Sequence, residues 1–428
     1  MLDLVIRGGR IFDGTGAPAS DGDVCIRGER VVSIGERHGE SAARIIDVDG
    51  LAIAPGFIDV HSHYDRLVLD KNPDRSCVGQ GITTTVIGNC GFALAPVNPQ
   101  FRELLLTQAS AILGEGELPW TSFKEYLDAV DAARPPVNVA ALAGHNAIRV
   151  AAMGFEMRQA RADELERMAQ YVAEAMEAGA VGLSTGLVYP PGTYANTSEV
   201  VELAKVAGRY GGLYASHVRN EANRLVEALQ EAIQIGEEAQ LPVQISHCKA
   251  SGSSNWGKGA ALVRTIHEAR ARGVDVTGDQ YPYLAGSTLL STLLPPWAHE
   301  GGVPELVRRL RSPDMRARMT HDMEHGAGDW WNPSQNTTWD KIIIASSSRK
   351  PEIEGKTLER LALDAGLTPY EMLYEVLLET ECKVLMVIFM MNEDDVRTIM
   401  RDEQVRSEER RVGKECDTGC RSRWSPYH

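Results

Sequence analysis

Two histidines one residue apart, His61 and His63, stand at the end of an apolar run in "GFIDVHSHYD", residues 56–65. Side chains of a β-strand alternate between its two faces, so both imidazoles would point the same way, with Ser62 opposite. Imidazoles that converge at the end of a strand are suited to holding a metal ion. A single His-x-His pair is more often a surface or core feature, so the pair gains meaning only from its context.

Other apolar runs along the chain also end in side chains that can bind metal. The runs "TTTVIGNC", "VNVAALAGH" and "GGLYASH" end at Cys90, His145 and His217, and "PVQISHCK" contains His247. Ligand-type residues at successive strand ends, in β-α order, are hard to obtain by chance. The pattern predicts a metal centre where these strand ends meet.

The chain from residue 53 alternates apolar strands with amphipathic helices, which is typical of a parallel sheet. Two helical stripes predict core packing, at Leu165, Met168, Val172 and Met176 and at Leu225, Leu229 and Ile233. We predict strands over residues 52–63, 83–90, 137–145, 180–187, 211–217, 242–249 and 275–283.

Ligands at so many strand ends favour a (β/α)8 TIM-type barrel, whose active site gathers at the carboxyl ends of its strands. A doubly wound sheet would place its ligands at one switch point, fed by fewer strands. Seven predicted strands leave the eighth missing. The apolar run "KVLMVIFMM", residues 383–391, is a candidate for it but has no ligand-type residue at its end.

The segments outside the barrel differ from it in composition. Residues 1–54 contain short strands between glycine turns and predict a small β-unit, before a barrel over residues 55–289. Residues 290–400 are rich in Pro, Gly and Trp, and predict an insertion that caps the barrel mouth, with a helix near 368–380.

Composition excludes several classes of partner. A net charge of −15 with no sustained basic stripe argues against nucleic acid, because phosphate binding needs clustered Lys and Arg. No stretch approaches the roughly 18 apolar residues of a membrane span, and the start lacks a signal-peptide pattern.

Seven cysteines at irregular spacing make no disulfide framework. We expect a cytoplasmic protein with no membrane partner, a monomer or small homo-oligomer.

Several segments resemble, in order, those of the amidohydrolase superfamily and within it the N-acyl-D-amino-acid deacylases. "PGFIDVHSHYD" is similar to the first-strand metal motif of the superfamily. "GITTTVIGNCGFALAPV", "GLVYPPGTYA", "YASHVRNE", "ISHCKASG" and "DQYPYLAGST" are similar to successive deacylase blocks. The resemblance covers about residues 3–405 and implies that the N-terminal β-unit is part of a β-sandwich completed by the C-terminal segment.

The resemblance also implies a metal centre with assigned ligands. Cys90, His217 and His247 match the ligands of a tightly held zinc, and His61 and His63 match a second, weaker position that shares Cys90. Thiolate and imidazole are preferred zinc ligands, and a bound thiol is deprotonated, so Cys90 should resist alkylation in the metal-bound protein.

Substrate contacts follow from the same resemblance. Lys249, two residues after His247 and on the same face by strand parity, is expected to hold a substrate carboxylate. Tyr189 is expected to bond the carbonyl or carboxylate, and Ser287 is a further candidate. The implied reaction is zinc-dependent hydrolysis of a small N-acyl-D-amino acid to a carboxylic acid and a free D-amino acid.

The remaining histidines and cysteines are expected to be structural. His145 is predicted to support the site or the fold, and His321 and His325 are predicted to lie on the surface. We assign the other cysteines outside the tail, residues 25, 77, 248 and 382, to packing.

Two alternatives remain open. Hydantoinases and dihydroorotases usually bridge two metals with a carboxylated lysine on strand four, but "AVGLSTGL" has no lysine, which disfavours a cyclic-amide or ureido hydrolase. The other alternative is a catalytically dead barrel. By resemblance, the general acid–base is an aspartate at the end of strand eight, soon after a "NEDDVRTIMR"-like segment, and that motif is not evident here.

The composition changes abruptly after Val405. Residues 406–428 hold six Lys or Arg and no Leu, Ile, Met or Ala, and apart from an inserted "DTGC" they resemble a translated sequencing adapter. We expect a non-native tail there, in which Cys416 and Cys420 form no metal site. The recorded chain would then lack the catalytic aspartate and be nearly inactive or prone to aggregation.

Overall fold

The strands of the computed structural model follow the Val- and Ile-rich runs of the sequence. Residues 1–35, 41–70, 76–328 and 330–407 are described. The strands are β1 Leu2–Ile11, β2 Ser20–Arg27, β3 Arg30–Ile34, β4 Ala42–Asp47, β5 Ala52–Ile53, β6 Phe57–Asp59, β7 Ile82–Ile87, β8 Asn138–Gly144, β9 Gly182–Gly186, β10 Leu213–His217, β11 Val243–Ile245, β12 Val276–Gln280, β13 Ala285–Leu289, β14 Ile342–Ser346, β15 Leu385–Phe389 and β16 Val405–Ser407.

The α-helices occupy most of the segments between the strands of the larger unit. They are α1 Ser76–Gly79, α2 Arg102–Leu113, α3 Phe123–Ala133, α4 His145–Met153, α5 Ala162–Glu177, α6 Thr197–Arg209, α7 Leu225–Ala239, α8 Gly259–Ala271, α9 Val303–Leu310, α10 Pro313–His325, α11 Leu358–Ala365, α12 Pro369–Glu379 and α13 Glu393–Met400. Short 3-10 helices span Leu67–Leu69, Asn89–Gly91, Pro99–Phe101, Gly192–Tyr194, Ser253–Asn255, Leu290–Leu293, Pro296–His299, Pro333–Asn336, Trp339–Lys341 and Pro351–Ile353. No helix of the described residues is long and apolar enough to cross a bilayer.

The chain divides into two units, of which the first holds residues 1–58 and 81–83 and the second the remaining residues. The first unit contains a five-stranded sheet in the order β3-β2-β1-β4, with β5 also paired to β1. Its core is small, and consists of Leu2, Val5 and Cys25. Large apolar side chains on this unit are exposed, including Val31 and Ile34, each at 54%.

An eight-stranded sheet in the order β16-β12-β11-β10-β9-β8-β7-β6 carries the predicted ligands. Its pairings from β7 to β16 are parallel, as the βα rhythm predicts. The helical stripes are buried as predicted, since Met168 and Val172 of α5 and Leu229 of α7 are fully buried. The prediction of a barrel-type parallel sheet is therefore confirmed.

The prediction that strand eight is missing is wrong. β16 pairs with β12, with Val405 opposite Gly278. The sequence pattern does not predict β16, because "EQVRS" has one apolar residue and no alternation of apolar and polar residues. The alternative strand eight was also wrong, because β15 lies in a separate three-stranded sheet of order β13-β15-β14.

The inserted region has its own hydrophobic cluster, which includes Leu290, Leu373 and Met386. Its three-stranded sheet includes β13, so its structure begins before residue 290. The helix predicted near 368–380 is confirmed as α12. Thr368 and Glu371 form a reciprocal capping box at its start, and Pro369 follows at its first position.

A buried ion cluster ties α4 to α6 beside the parallel sheet. Glu199 accepts hydrogen bonds from Arg149 Nη1, at 2.6 and 2.5 Å, and lies 2.9 Å from His145 Nε2. Burial raises the pKa of Glu199, but bonding to His145 and Arg149 outweighs burial and lowers its pKa to about 2. His145 is thus structural, as predicted from the sequence.

Replacing Glu199 should destabilise the fold, because it leaves the buried Arg149 charge uncompensated. We expect Glu199→Gln to lower the free energy of unfolding at pH 7 by about 3–5 kcal/mol. Urea denaturation followed by circular dichroism measures the change. Glu202→Gln on the same helix is the control, since its exposed pair with Lys205 is worth less than about 1 kcal/mol.

The same cluster predicts a pH dependence. The pKa of Glu199 is lowered by folding, from an ordinary 4.5 to about 2. Its contribution to stability is therefore fully present above pH 4.5 and is lost as the pH falls toward 2. The stability difference between wild type and Glu199→Gln should shrink over this interval, and a difference that stays constant would refute the role given to Glu199.

Candidate metal centre

The two histidines of the opening motif lie just beyond a strand. β6 ends at Asp59, whose Oδ1 accepts a hydrogen bond of 3.1 Å from the backbone N–H of His61. This local Asx bond turns the chain away from the strand path. The strand-parity reasoning for His61 and His63 was therefore wrong, although both are buried and their ring centroids lie 5.6 Å apart.

Cys90 follows β7 on a tight turn. Gly88 has a φ of 78° and Cys90 itself a φ of 54°, in the left-handed region that side chains other than glycine's rarely adopt. A β-carbon on Gly186 of β9 would lie 2.1 Å from the carbonyl oxygen of Cys90. Glycine at 186 thus lets the turn approach β9 and direct the thiol inward.

The sulfur of Cys90 lies between two imidazoles. Its Sγ is 3.2 Å from Nε2 of His61 and 3.4 Å from Nε2 of His247. All three side chains are fully buried, and their donor atoms lie within 4.8 Å of one another. One thiol and two imidazoles at this spacing fit a zinc ion, which prefers sulfur and nitrogen ligands.

His217 and His247 also lie in this cluster of side chains. His217 ends β10, and its ring centroid is 4.3 Å from that of His247. His247 follows β11 with a φ of 37°, and its backbone N–H donates to Oδ1 of Asp279 on β12. Like Cys90, His247 holds a left-handed backbone, a costly conformation that clusters at functional sites.

Two carboxylates lie beside the Nδ1 atoms of the imidazoles, on the side away from the sulfur. Oε1 of Glu221 is 3.0 Å from Nδ1 of His247, while Oδ1 of Asp279 is 3.4 Å from Nδ1 of His61. In both rings Nε2 faces the sulfur and Nδ1 faces a carboxylate. This is the arrangement by which carboxylates orient metal-binding histidines.

Glu221 is a site residue that the sequence analysis missed. Its Oε1 also lies 3.7 Å from Nε2 of His217, so that His217, Glu221 and His247 form a second group of possible ligands. The available signal was its place in "SHVRNE", four residues after a strand-end ligand. A glutamate in a loop is so common that spacing alone does not identify it.

Lys249 belongs to the same cluster. Its Nζ donates to Oε1 of Glu221 at 2.6 Å and lies 2.8 Å from Nδ1 of His247. β11 ends at Ile245, so strand parity does not place Lys249 beside His247, and that part of the reasoning was wrong. The turn after the strand brings the two side chains together instead.

A cavity opens beside His217 and contains the predicted substrate residues Tyr189, Lys249 and Ser287. The hydroxyl of Tyr189 is 2.8 Å from Oγ1 of Thr288. Among the described residues, the buried Oγ of Ser287 has no hydrogen-bond partner. The cavity is therefore continuous with the histidine cluster and offers a cation and hydroxyls to a ligand.

The other candidate residues lie away from this cavity. His321 and His325 are exposed on α10, and the cysteines at 25, 77, 248 and 382 are buried as free thiols, as predicted. Cys416 and Cys420 lie outside the described residues, as does any aspartate expected after β16. The described strand β16 reads Val-Arg-Ser and contributes no carboxylate.

Asp65 is a further buried carboxyl near the histidine loop. Desolvation by burial raises its pKa to about 7. Its backbone carbonyl accepts a hydrogen bond of 2.7 Å from the hydroxyl of Tyr126. This hydrogen bond ties the histidine loop to α3.

Comparisons with known proteins agree with this geometry. Residues 44–329 match the model of the amidohydrolase family. The chain is 34% identical to the D-aminoacylase of Alcaligenes xylosoxydans xylosoxydans over 402 residues, which cover 93% of the chain and 72% of that protein. It is 43% identical to the N-acyl-D-glutamate deacylase of the same organism over 289 residues, covering 68% of the chain but only 58% of that relative.

A solved structure shares the fold. The N-acyl-D-glutamate deacylase of Bordetella bronchiseptica, complexed with zinc and a phosphonate mimic of the tetrahedral intermediate, superimposes with a TM-score of 0.78 at 34% identity. The match covers 95% of this chain and 75% of that one. The chain therefore belongs to the amidohydrolase family and, within it, to the group of the N-acyl-D-amino-acid deacylases.

Proposed function

We propose that the protein hydrolyses the amide bond of N-acyl-D-amino acids with the help of zinc, releasing a carboxylic acid and a free D-amino acid. The observation that carries the proposal is the position of Cys90 Sγ, 3.2 Å from His61 Nε2 and 3.4 Å from His247 Nε2, beside a cavity that contains Lys249. The named activities of the relatives support the same reaction class.

The family resemblance divides the proposed ligands into two sets, whereas the structure groups His61 with Cys90 and His247, and His217 with Glu221 and His247. We assign Cys90, His217 and His247 to a tight zinc position, and His61 and His63 to a second, weaker position that shares the sulfur. The 3.2 Å contact between Cys90 and His61 supports a shared sulfur. When bound, zinc would lower the pKa of a coordinated water to near neutrality and polarise the substrate carbonyl.

The chain's own side chains would bind and orient the substrate. Lys249 is buried, and its ammonium can pair with the α-carboxylate that every N-acyl-amino acid carries. The hydroxyls of Ser287 and Tyr189 line the same cavity and can donate to that carboxylate or to the amide carbonyl. Fixing the carboxylate and the amide at once places the scissile bond next to the metal ligands.

Proton transfer to the departing amine needs a general acid. Among the described carboxylates of the site, Glu221 is engaged with Lys249, and Asp279 accepts from His247 N and from Gln244. Neither is free to carry a proton without breaking these contacts. We therefore assign no described residue to this step; by the family resemblance the proton carrier is an aspartate beyond Val405, and that motif is not evident in the sequence.

The cyclic-amide alternative has less support. β9 reads Gly-Leu-Ser-Thr-Gly and supplies no lysine to bridge two metals. The sulfur of Cys90 occupies the position between the imidazoles instead. The catalytically dead alternative makes the same prediction for metal binding and differs only in turnover.

The activity itself is the first test. We expect the zinc-loaded protein to release free amine from N-acetyl-D-methionine only slowly, because no described residue is assigned to proton transfer. It should leave N-acetyl-L-methionine unchanged in the same primary-amine assay, and hydantoin unchanged by chromatography. Ring opening of hydantoin without amide hydrolysis would support the cyclic-amide alternative. Stoichiometric zinc binding with no turnover of any of these compounds would support the dead barrel.

Loss of the sulfur should remove the metal. We expect Cys90→Ala to bind less than a tenth of the zinc held by the wild type, as measured by elemental analysis after gel filtration, because thiolate is a major zinc ligand. Cys382→Ala, at a buried cysteine far along the chain, is the control and should keep its zinc. In wild type, zinc should also protect Cys90 from alkylation; equal labelling with and without zinc would contradict the assignment.

Glu221 should act through the groups that it orients. We expect Glu221→Gln to lower zinc affinity about 10–100-fold, as loss of a carboxylate behind a metal-binding histidine typically does. Competition with a fluorescent zinc chelator measures the affinity. Glu227→Gln, at an exposed position of α7, is the matched control, and equal affinities of the two variants would remove Glu221 from the metal centre.

A further inference from the structure

The cavity beside the metal ligands has a polar end and an apolar wall. The polar end holds His217, Glu221, Lys249 and Tyr189. The wall consists of six residues of the inserted region: Trp330, Trp331, Pro333, Met386, Ile388 and Met390. A bound substrate therefore meets two different environments, one for its charged group and one for its apolar part.

Two residues of the wall, Met386 and Ile388, lie on one face of the three-stranded sheet. Ile388 pairs with Gly286 and Met386 with Thr288 across β15 and β13, so these four residues share a face by strand alternation. Met386 and Ile388 are fully buried. The packed sheet therefore holds these two apolar side chains in the wall.

Charge in the cavity is limited. Of the described residues that line it, Lys249 alone is a Lys or Arg, and its ammonium lies 2.6 Å from the carboxylate of Glu221. The indole N–H of Trp331 has no hydrogen-bond partner among the described residues, and adds a neutral donor without adding charge. One substrate carboxylate can use Lys249, but a second would meet Glu221 and no further cation.

A second carboxylate would be costly in this setting. Moving an ionised group from water to this wall leaves it with a neutral donor, Trp331, and no cation, which is unfavourable, and the nearby like charge of Glu221 adds repulsion. In N-acyl-D-glutamate the extra charge is on the side chain, whichever way the acyl group points. An apolar side chain would instead gain from burial against Met386 and Ile388.

We propose that the protein selects N-acyl-D-amino acids with uncharged, apolar side chains, of the methionine, leucine and phenylalanine type, over those with acidic side chains. This inference rests on the proposed deacylase function. It runs against the sequence comparisons, in which identity is 43% over 289 residues to the D-glutamate deacylase and 34% over 402 residues to the D-aminoacylase. The chemistry of the cavity wall thus predicts an apolar substrate side chain, whereas the higher sequence identity predicts an acidic one.

Binding of stable analogues separates the two predictions without requiring turnover. N-methylphosphonyl-D-methionine and N-methylphosphonyl-D-glutamate share the phosphonyl group and the α-carboxylate, and differ only in the side chain. We expect the zinc-loaded full chain to bind the methionine analogue at least about tenfold more tightly in titration calorimetry, since a buried charge without a cation partner is unfavourable.

Equal binding, or tighter binding of the glutamate analogue, would overturn the selectivity and leave the deacylase function standing. Binding of neither analogue would overturn the proposed function and the selectivity with it. The outcomes are therefore distinguishable in one experiment.

A charge added to the wall gives an independent check. Thr292 lines the cavity and is half-buried, so it can accept a longer side chain. We expect Thr292→Lys to shift the affinity ratio toward the glutamate analogue by about tenfold, with Thr292→Met as a control of similar size. If both variants keep the wild-type ratio while remaining folded by circular dichroism, the side chain does not contact this wall.

Discussion

The structure around the candidate metal centre depends on burying one thiol between the imidazoles of His61 and His247, whose rings lie beside those of His63 and His217. Polar groups in an apolar interior are costly unless they are paired, and a cluster of this kind is stable only with partners for each ring and for the sulfur. Here Cys90 contacts the Nε2 atoms of His61 and His247, while Asp279 and Glu221 face the opposite ring nitrogens. A divalent cation would complete the pairing by converting the thiol to a thiolate ligand.

Glu221 connects the proposed metal ligands with the end of the cavity that we assign to the substrate carboxylate. One oxygen atom serves both the imidazole of His247 and the ammonium of Lys249. Binding of a ligand at Lys249 would therefore act, through Glu221 alone, on the imidazole of His247, a proposed zinc ligand. The apolar wall from the inserted region then faces this charged pair across the cavity, so the catalytic sheet and the insertion contribute different parts of one site.

The sequence predicted what periodicity and resemblance can reveal. The parallel sheet, the buried stripes of α5 and α7 and the convergence of His61, Cys90 and His247 were all accessible from apolar runs and their ends. The local geometry at the ends of the strands could not be predicted in this way. Strand parity failed at His61 and at Lys249 because turns after β6 and β11, one set by the Asp59 side chain, rotate the chain.

Features formed by long-range contacts were also beyond the sequence. β16 carries one apolar residue and is defined by its pairing with β12, and Glu221 gains its role from residues 26 and 28 positions further along the chain. The most direct test of the metal centre is X-ray absorption at the zinc edge of the loaded protein. We expect one sulfur at about 2.3 Å and imidazole nitrogens at about 2.0–2.1 Å, whereas a shell of oxygen and nitrogen without sulfur would contradict a zinc site built on Cys90.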